Sequence, residues 1–311
     1  MSRITFRASA YEVKVPASSA NLGPGFDSFA LALEKRDRYI AQVLDEKNLD
    51  VDVVGEGSEE LPRDEKNLVI KAIYKGWDFL GLPKKEYPGL ALRALNNLPH
   101  GRGLGSSASA IIGGLILSRS LVVGGADRMS DQDVLTLATE MEGHPDNVAA
   151  ALFGGAVLSW ATEDFADAIK LEVSPRITAV AFVPGNHVPT SKARKMLPES
   201  IPHADAVKNS INTALLTQAL TTRPDLLLHA TEDYLHQSYR ESAMPKSFAL
   251  MQKLRAAGVA AFISGAGPTV LALLVDADIN HELEDLVRAA GAGFSVENLD
   301  ISRVGYQVSN I

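Results

Sequence analysis

The 311-residue chain contains no cysteine. That excludes disulfides, zinc–thiolate centres and a cysteine nucleophile, and it fits a reducing compartment such as the cytoplasm. Blocks of like charge are also missing. Thirty basic against 38 acidic residues give a net charge of −8, so neither nucleic acid nor an anionic membrane is an expected partner. Residues 1–7 lack the apolar core of a signal peptide. The longest uncharged stretches, 104–118 and 259–275, carry several Gly and Ser residues, and the second contains Pro268. Both fall short of the ~20 continuous apolar residues that a membrane span needs, and read as buried elements.

What is present suffices for packed cores: 46% of the residues are hydrophobic, and the length predicts two domains. Apolar spacing predicts helices over 67–80, 108–123, 130–141, 204–221, 224–234, 246–257 and 282–290. Strands are expected over 13–16, 39–43, 49–54, 89–95, 156–160, 171–173, 178–183, 259–264, 269–275, 295–299 and 302–308. The segment 17–27 reads as a turn. The acidic, poorly patterned 162–168 places a domain boundary there, giving domains 1–165 and 166–311. Helices and strands interleave in both halves without internal repeats, so the class is α/β or α+β.

One loop dominates: Pro99-His100-Gly101-Arg102-Gly103-Leu104-Gly105-Ser106-Ser107-Ala108-Ser109. It joins a predicted strand to a predicted helix, placing its serines at the helix N-terminus. Amides there have no intrahelical partner and the helix dipole is positive, so anionic oxygens are well received. Glycines let backbone approach a phosphate without a Cβ in the way. The loop is neither a Walker A motif nor G-x-G-x-x-G, and alone it is equally a glycine-rich turn with Ser106 as N-cap.

Three further segments accompany it. In Pro16-Ala-Ser-Ser-Ala-Asn-Leu-Gly-Pro-Gly-Phe-Asp27, Asn21 and Asp27 flank a Gly-Pro-Gly turn, which can project an amide and a carboxylate into a cleft or simply bond its own backbone. Glu140-Met-Glu-Gly-His-Pro-Asp-Asn147 gathers two carboxylates, an imidazole, an acid and an amide at a helix end. Ile263-Ser-Gly-Ala-Gly-Pro-Thr-Val270 is a second glycine turn, between apolar strands.

Together, in this order, the four segments resemble the GHMP family of small-molecule kinases. The likeness runs from Val13 to about Val275, and the first segment points to the branch acting on L-homoserine. The resemblance implies a two-domain α+β fold, with an N-terminal domain like domain 2 of ribosomal protein S5 and a ferredoxin-like C-terminal domain. It implies transfer of the ATP γ-phosphoryl group to the homoserine side-chain hydroxyl in threonine biosynthesis, with Mg²⁺ as cofactor. By the same resemblance, residues 99–109 hold ATP, and Ser107 with Glu142 or Glu140 holds the metal; Glu142, next to the Gly-His pair, is favoured. Asn21, Asp27, His144, Arg194, Arg240, Gly265 and Gly267 fall where the family binds substrate. Thr190, Asp146 and Asn147 are the candidate catalytic residues. An amide at Asn147 cannot accept the hydroxyl proton, so the expected mechanism has no strong enzymic base, with Asp146 as the alternative. A homodimer is expected by family analogy.

Other readings compete. A kinase for mevalonate or another isoprenoid alcohol would need neither paired arginines nor Asp27. A non-catalytic sensor on the same fold would dispense with the loop serine or the acid, and both are present. A serine acyl-transfer enzyme is disfavoured by the absence of G-x-S-x-G.

Overall fold

The computed structural model describes residues 4–163, 165–276, 288 and 290–311. Among these the chain forms two sheets. The first half contributes β1 (Tyr11–Asn21), β2 (Gly25–Leu44), β3 (Leu49–Gly55), α1 (Leu68–Phe79), β4 (Gly89–Asn96), α2 (Ser106–Ser120), α3 (Gly125–Arg128), α4 (Asp131–Glu142), α5 (Asp146–Phe153), β5 (Ala156–Ala161) and β6 (Ala166–Leu171). There follow β7 (Ile177–Pro184), α6 (Thr190–Arg194), α7 (His203–Thr221), α8 (Leu227–Ala230), α9 (Pro245–Ala256), β8 (Ala260–Ile263), β9 (Val270–Val275), β10 (Phe294–Leu299) and β11 (Gln307–Asn310).

The larger sheet runs β11-β1-β2-β4-β3, with β5 on β2 and β6 beyond β5; the smaller runs β10-β7-β9-β8. Only the β3–β4 pair in the larger sheet is parallel, and α1 lies between those strands in sequence. Strand alternation sets the layers. In β2, Ala30 and Ala32 face the core shared with α1, α2, α4 and α5. Phe29, Leu31 and Leu33 face a second core, shared with Ala179, Ala181 and Val183 of β7 and with α7. The opposite face of β7, Val180 and Phe182, packs with α9. Strands buried on both faces therefore bind the two sheets into one structure. No helix among the described residues is long and apolar enough to cross a membrane.

Several elements differ from expectation. Residues 17–27 are not one turn: β1 continues to Asn21, only Leu22–Pro24 turn, and the strand expected at 39–43 is the end of the twenty-residue β2. Small side chains at Ala17, Ser18, Ser19 and Ala20 let this part of β1 be buried on both faces while its backbone pairs with residues 30–33. The helix expected over 224–234 is reduced to a 3₁₀ turn and α8. Beyond it, the Asp233 carboxylate accepts from the N–H groups of Leu235, His236 and Gln237, starting a new segment. The end of α4 is followed by an unforeseen helix, because Gly143 ends α4 in a left-handed conformation and Pro145 caps α5. Pairing carries β6 to β5 and β11 to β1, so both join the larger sheet. The helix expected over 282–290 lies, apart from residues 288 and 290, outside the described residues.

Candidate active site

A cavity of about 370 Å³ lies where the two sheets meet, and the N-terminus of α2 lines it. That helix end is bare. Its N-cap is Gly105, which has no side chain to accept a hydrogen bond, and its first turn carries no acid. By contrast, α4 opens with a full capping box between Ser130 and Asp133. An uncapped helix start facing a cavity presents amide donors and positive potential to a ligand.

Glycine is required at two positions of the loop. Gly103 has φ +81°, and a Cβ there would lie 2.3 Å from the Ser264 carbonyl oxygen. Gly105 has φ +72°, and a Cβ would meet Ser18 Oγ at 2.1 Å. These close approaches strap the loop between β1 and the β8–β9 turn. Ser18 N–H donates to Leu104 O (3.1 Å), and Ser264 Oγ–H donates to Gly103 O (2.5 Å).

Of the loop residues, His100, Gly101, Gly103, Gly105, Ser106 and Ser107 line the cavity. Pro99, Leu104, Ala108 and Ser109 are buried beneath it, Ser109 against the Tyr39 hydroxyl at 3.1 Å. They shape the loop without facing its ligand side. Arg102 instead donates to Gly185 O (3.0 Å) and lines a neighbouring cleft. Ser107 Oγ–H donates to Glu142 Oε1 at 2.6 Å. Glu140 is two residues earlier, so it leaves α4 on the opposite side. It pairs with Lys75 at 2.8 Å on the surface and does not reach the cavity.

The same cavity is lined by Asp27, Arg194 and Arg240. Arg194 grips Asp27 with two hydrogen bonds, Nη2–Oδ1 2.7 Å and Nη1–Oδ2 2.9 Å, and the Asp27 partnership raises its pKa. Arg240 differs: it is 2% exposed and, among the described residues, forms no ion pair. Burial, followed by the charge of Arg194, lowers its pKa to about 10. Both guanidinium groups lie over Phe26, 5.6 and 5.5 Å from the ring centroid. Asn21 lines the cavity, but its amide is engaged: Nδ2 donates to Gly265 O (3.0 Å) and Oδ1 accepts from Asp27 N–H (3.1 Å). Asn21, Leu22 and Asp27 all have positive φ, a concentration of backbone strain typical of functional turns.

Along the wall, His144 Nδ1 contacts Asp146 Oδ1 at 2.5 Å. Burial lowers the imidazole pKa, but the hydrogen bond and charge of Asp146, with the charge of Glu142, outweigh it and the net shift is upward. Asp146 is 1% exposed, and its Oδ1 also accepts from Asn147 N–H (2.6 Å). Asn147 Oδ1 accepts from Ser18 Oγ–H at 2.8 Å. Thr190 begins α6 and lines the cavity, as does Gly265. Gly267 packs on Met244 and is set back from it.

Sequence reasoning missed the remaining wall, formed by Tyr39, Leu68, Val69 and Ala94 with the polar Lys66 and Asn96. Asn96 Oδ1 and His100 Nε2 are buried there and, among the described residues, have no hydrogen-bond partner. Phe26 and His236 were also missed. The i, i+4 spacing of His236 and Arg240 is the one signal that could have paired those two.

Comparison with known proteins identifies the family. The profile of the GHMP kinase N-terminal domain matches residues 67–155, and that of the GHMP kinase C-terminal domain matches 214–293. The homoserine kinase of Streptomyces coelicolor is 50% identical over 303 residues, covering 97% of this chain and 96% of that protein. The homoserine kinase of Mycolicibacterium smegmatis is 43% identical, with 92% and 91% covered. A solved homoserine kinase from Cytophaga hutchinsonii superposes with a TM-score of 0.84 at 26% identity, covering 99% of this chain and 100% of that one. Mevalonate diphosphate decarboxylase from Staphylococcus aureus, at 15% identity and a TM-score of 0.69, shares the fold; 97% and 98% of the two chains are covered. The chain belongs to the GHMP kinase family.

Proposed function

We infer that this protein is the homoserine-specific member of that family, transferring the γ-phosphoryl group of ATP to the side-chain hydroxyl of L-homoserine to give O-phospho-L-homoserine for threonine synthesis. One observation carries the reading: a single cavity joins a bare helix N-terminus, suited to phosphates, to a trio of one carboxylate and two guanidinium groups, suited to a zwitterion. The curated relatives named homoserine kinase support the same substrate.

Phosphoryl transfer depends on positioning and charge neutralisation more than on covalent chemistry. First-turn amides of α2 with Gly103 and Gly105 receive the ATP phosphates. The apolar wall receives adenine, whose polar edge can satisfy Asn96 Oδ1 and His100 Nε2. Ser107 Oγ and Glu142 Oε1, 2.6 Å apart beside the phosphate end, are hard oxygen donors that fit Mg²⁺. Bound there, Mg²⁺ supplies positive charge against the transferring phosphate. Homoserine's carboxylate meets Arg194 and Arg240, and its ammonium meets Asp27. The half-exposed Asp27–Arg194 pair is worth only about 0–1 kcal/mol, so a zwitterion can exchange partners with it at little cost. Asn21 holds Asp27 in place, while Thr190 and Gly265 bound the substrate from the second half of the chain.

Asp146 Oδ1 is engaged by His144 and a backbone amide, and the mechanism proposed has no strong enzymic base. Asp146 then orients His144 and leaves Nε2 for the substrate. Asp146→Asn should accordingly cost less than about tenfold in kcat, whereas loss of a general base costs roughly 10²–10⁴. A steady-state assay of a folded, ATP-binding variant decides between them. The reading as a whole is tested by ADP release with homoserine, mevalonate, galactose and shikimate in parallel. Only homoserine should support turnover at a rate well above background. Equal or greater turnover with another alcohol would displace the assignment.

The larger sheet's recruitment of β6 and β11 leaves a division near residue 165 as a proposal about domains. A cytoplasmic homodimer is the accompanying expectation for location and assembly.

A further inference from the structure

We propose that His236 is a positioning residue for substrate selection, holding the Arg240 guanidinium as an uncompensated cation ready for the substrate carboxylate. This rests on Arg240 being the carboxylate partner. Among the described residues Arg240 has no acidic neighbour within ion-pair distance, an arrangement that is costly inside a protein unless something else orients and solvates the charge. Four groups do so. Arg240 Nη1 donates to His236 Nδ1 at 3.1 Å, Nε donates to Ala193 O at 3.3 Å, Gly265 O lies 3.4 Å from Nη1, and the Phe26 ring lies beneath.

The tautomer of His236 follows from its contacts. Nε2 lies 2.8 Å from the Gly23 carbonyl oxygen, so Nε2 carries the proton and donates, leaving Nδ1 bare to accept from Arg240. The ring is fully buried and stacked 5.2 Å from Phe26. Burial lowers its pKa and keeps it neutral, against the opposing charge of Asp233. An aspartate or glutamate at this position would pair with Arg240 and compete with the incoming carboxylate. A neutral acceptor fixes the guanidinium without spending its charge. The nearby Asp233 carboxylate, whose Oδ1 lies 3.5 Å from His236 Nε2, accepts from three backbone amides. Through Gly23, His236 also anchors the β1–β2 turn that leads into Phe26 and Asp27 at the start of β2, tying the ammonium side of the site to the carboxylate side.

Two variants separate positioning from folding. In His236→Gln the longer side chain puts an amide near the Nε2 position and keeps a donor for Gly23, but offers nothing at Nδ1. In His236→Asn the shorter amide puts an oxygen near Nδ1 and keeps an acceptor for Arg240. A lost hydrogen bond to a charged group corresponds to roughly ten- to hundredfold in binding. His236→Gln should raise the homoserine KM by about that factor, with kcat and the ATP KM changing far less, and His236→Asn should recover most of the loss. With 3-aminopropan-1-ol, which has no carboxylate, the Gln variant should lose little relative to wild type. In an Arg240→Lys background, His236→Gln should add little further, because the two act through one contact. If wild type uses 3-aminopropan-1-ol as well as homoserine, the carboxylate reading of Arg240 falls. If wild type discriminates but His236→Gln loses both substrates in parallel, or His236→Asn is no better than Gln, His236 is only structural and the proposal falls. Should the Gln variant not fold, the Asn variant alone decides, since a tenfold rise in its homoserine KM also overturns the assignment.

Discussion

Arg194→Lys and Arg240→Lys are each expected to raise the homoserine KM about 30-fold or more while leaving the ATP KM nearly unchanged. Both guanidinium groups flank Phe26, and among the described residues their hydrogen bonds go to Asp27, His236 and backbone carbonyls outside the 99–109 loop, so losing either should leave that loop in place. Lysine keeps the charge but cannot reproduce the planar, two-pronged donor set that grips a carboxylate. Removing one partner of a desolvated charge pair typically costs ~2–5 kcal/mol, roughly 30- to several-thousand-fold in affinity. The two positions should differ in degree. Arg240 is buried and, among the described residues, has no ionic partner, so a carboxylate bound there would compensate a desolvated charge, and its replacement should cost more. Arg194 is half-exposed and already paired with Asp27, so part of its interaction energy is spent opening that pair. Asp27→Asn should likewise raise the homoserine KM by removing the ammonium's partner. Steady-state kinetics with each substrate varied separately check all three; unchanged homoserine KM in both arginine variants would remove the physical basis of the substrate assignment.

Ser107→Ala and Glu142→Gln are expected to act on kcat instead, lowering it by about 10²–10³ with a small effect on the homoserine KM. Their oxygens lie 2.6 Å apart at the start of α2, where the proposed reaction would develop charge as the phosphoryl group leaves ADP. Folding should be little affected by Ser107→Ala, because alanine is a good helix former and Ser107 lies in the first turn of α2. Glu140→Gln is the internal control: its carboxylate pairs with Lys75 on the surface, and kcat should stay near wild type. A Ser107→Ala enzyme with near-normal kcat would take the hydroxyl out of the mechanism. Equal losses for the Glu140 and Glu142 variants would contradict the placement of the metal-binding oxygens.

Much of this was legible in the chain before its structure was known, for identifiable reasons. Helix α1 announces itself by apolar spacing and by Asn67, whose side chain accepts from Val69 N–H. Helix α4 does so by its capping box. The shape of the glycine–serine loop could be read because glycines at left-handed positions and serines at a helix start are local requirements. Glu142 was separable from Glu140 only by sequence context, and helical geometry then turns one inward and the other outward. What could not be read depends on contacts between distant segments. Residues 17–21 look like a turn by composition, and only pairing with β2 makes them strand. The return of β11 to β1 joins residues almost 300 positions apart. The commitment of Asn21 to Gly265, the Asp27–Arg194 pair and the stacking of two arginines on Phe26 all cross between the halves of the chain.

The central claim is that the site recognises a zwitterion, with opposite charges answered at separate places. The most direct measurement compares kcat/KM for homoserine with that for 3-aminopropan-1-ol, which lacks the carboxylate, and 4-hydroxybutanoate, which lacks the ammonium. Each missing charge should cost at least ~30-fold, and the carboxylate should matter more because it meets both arginines. If either analogue is phosphorylated as efficiently as homoserine, the charge on that side plays no part in recognition and the account is contradicted.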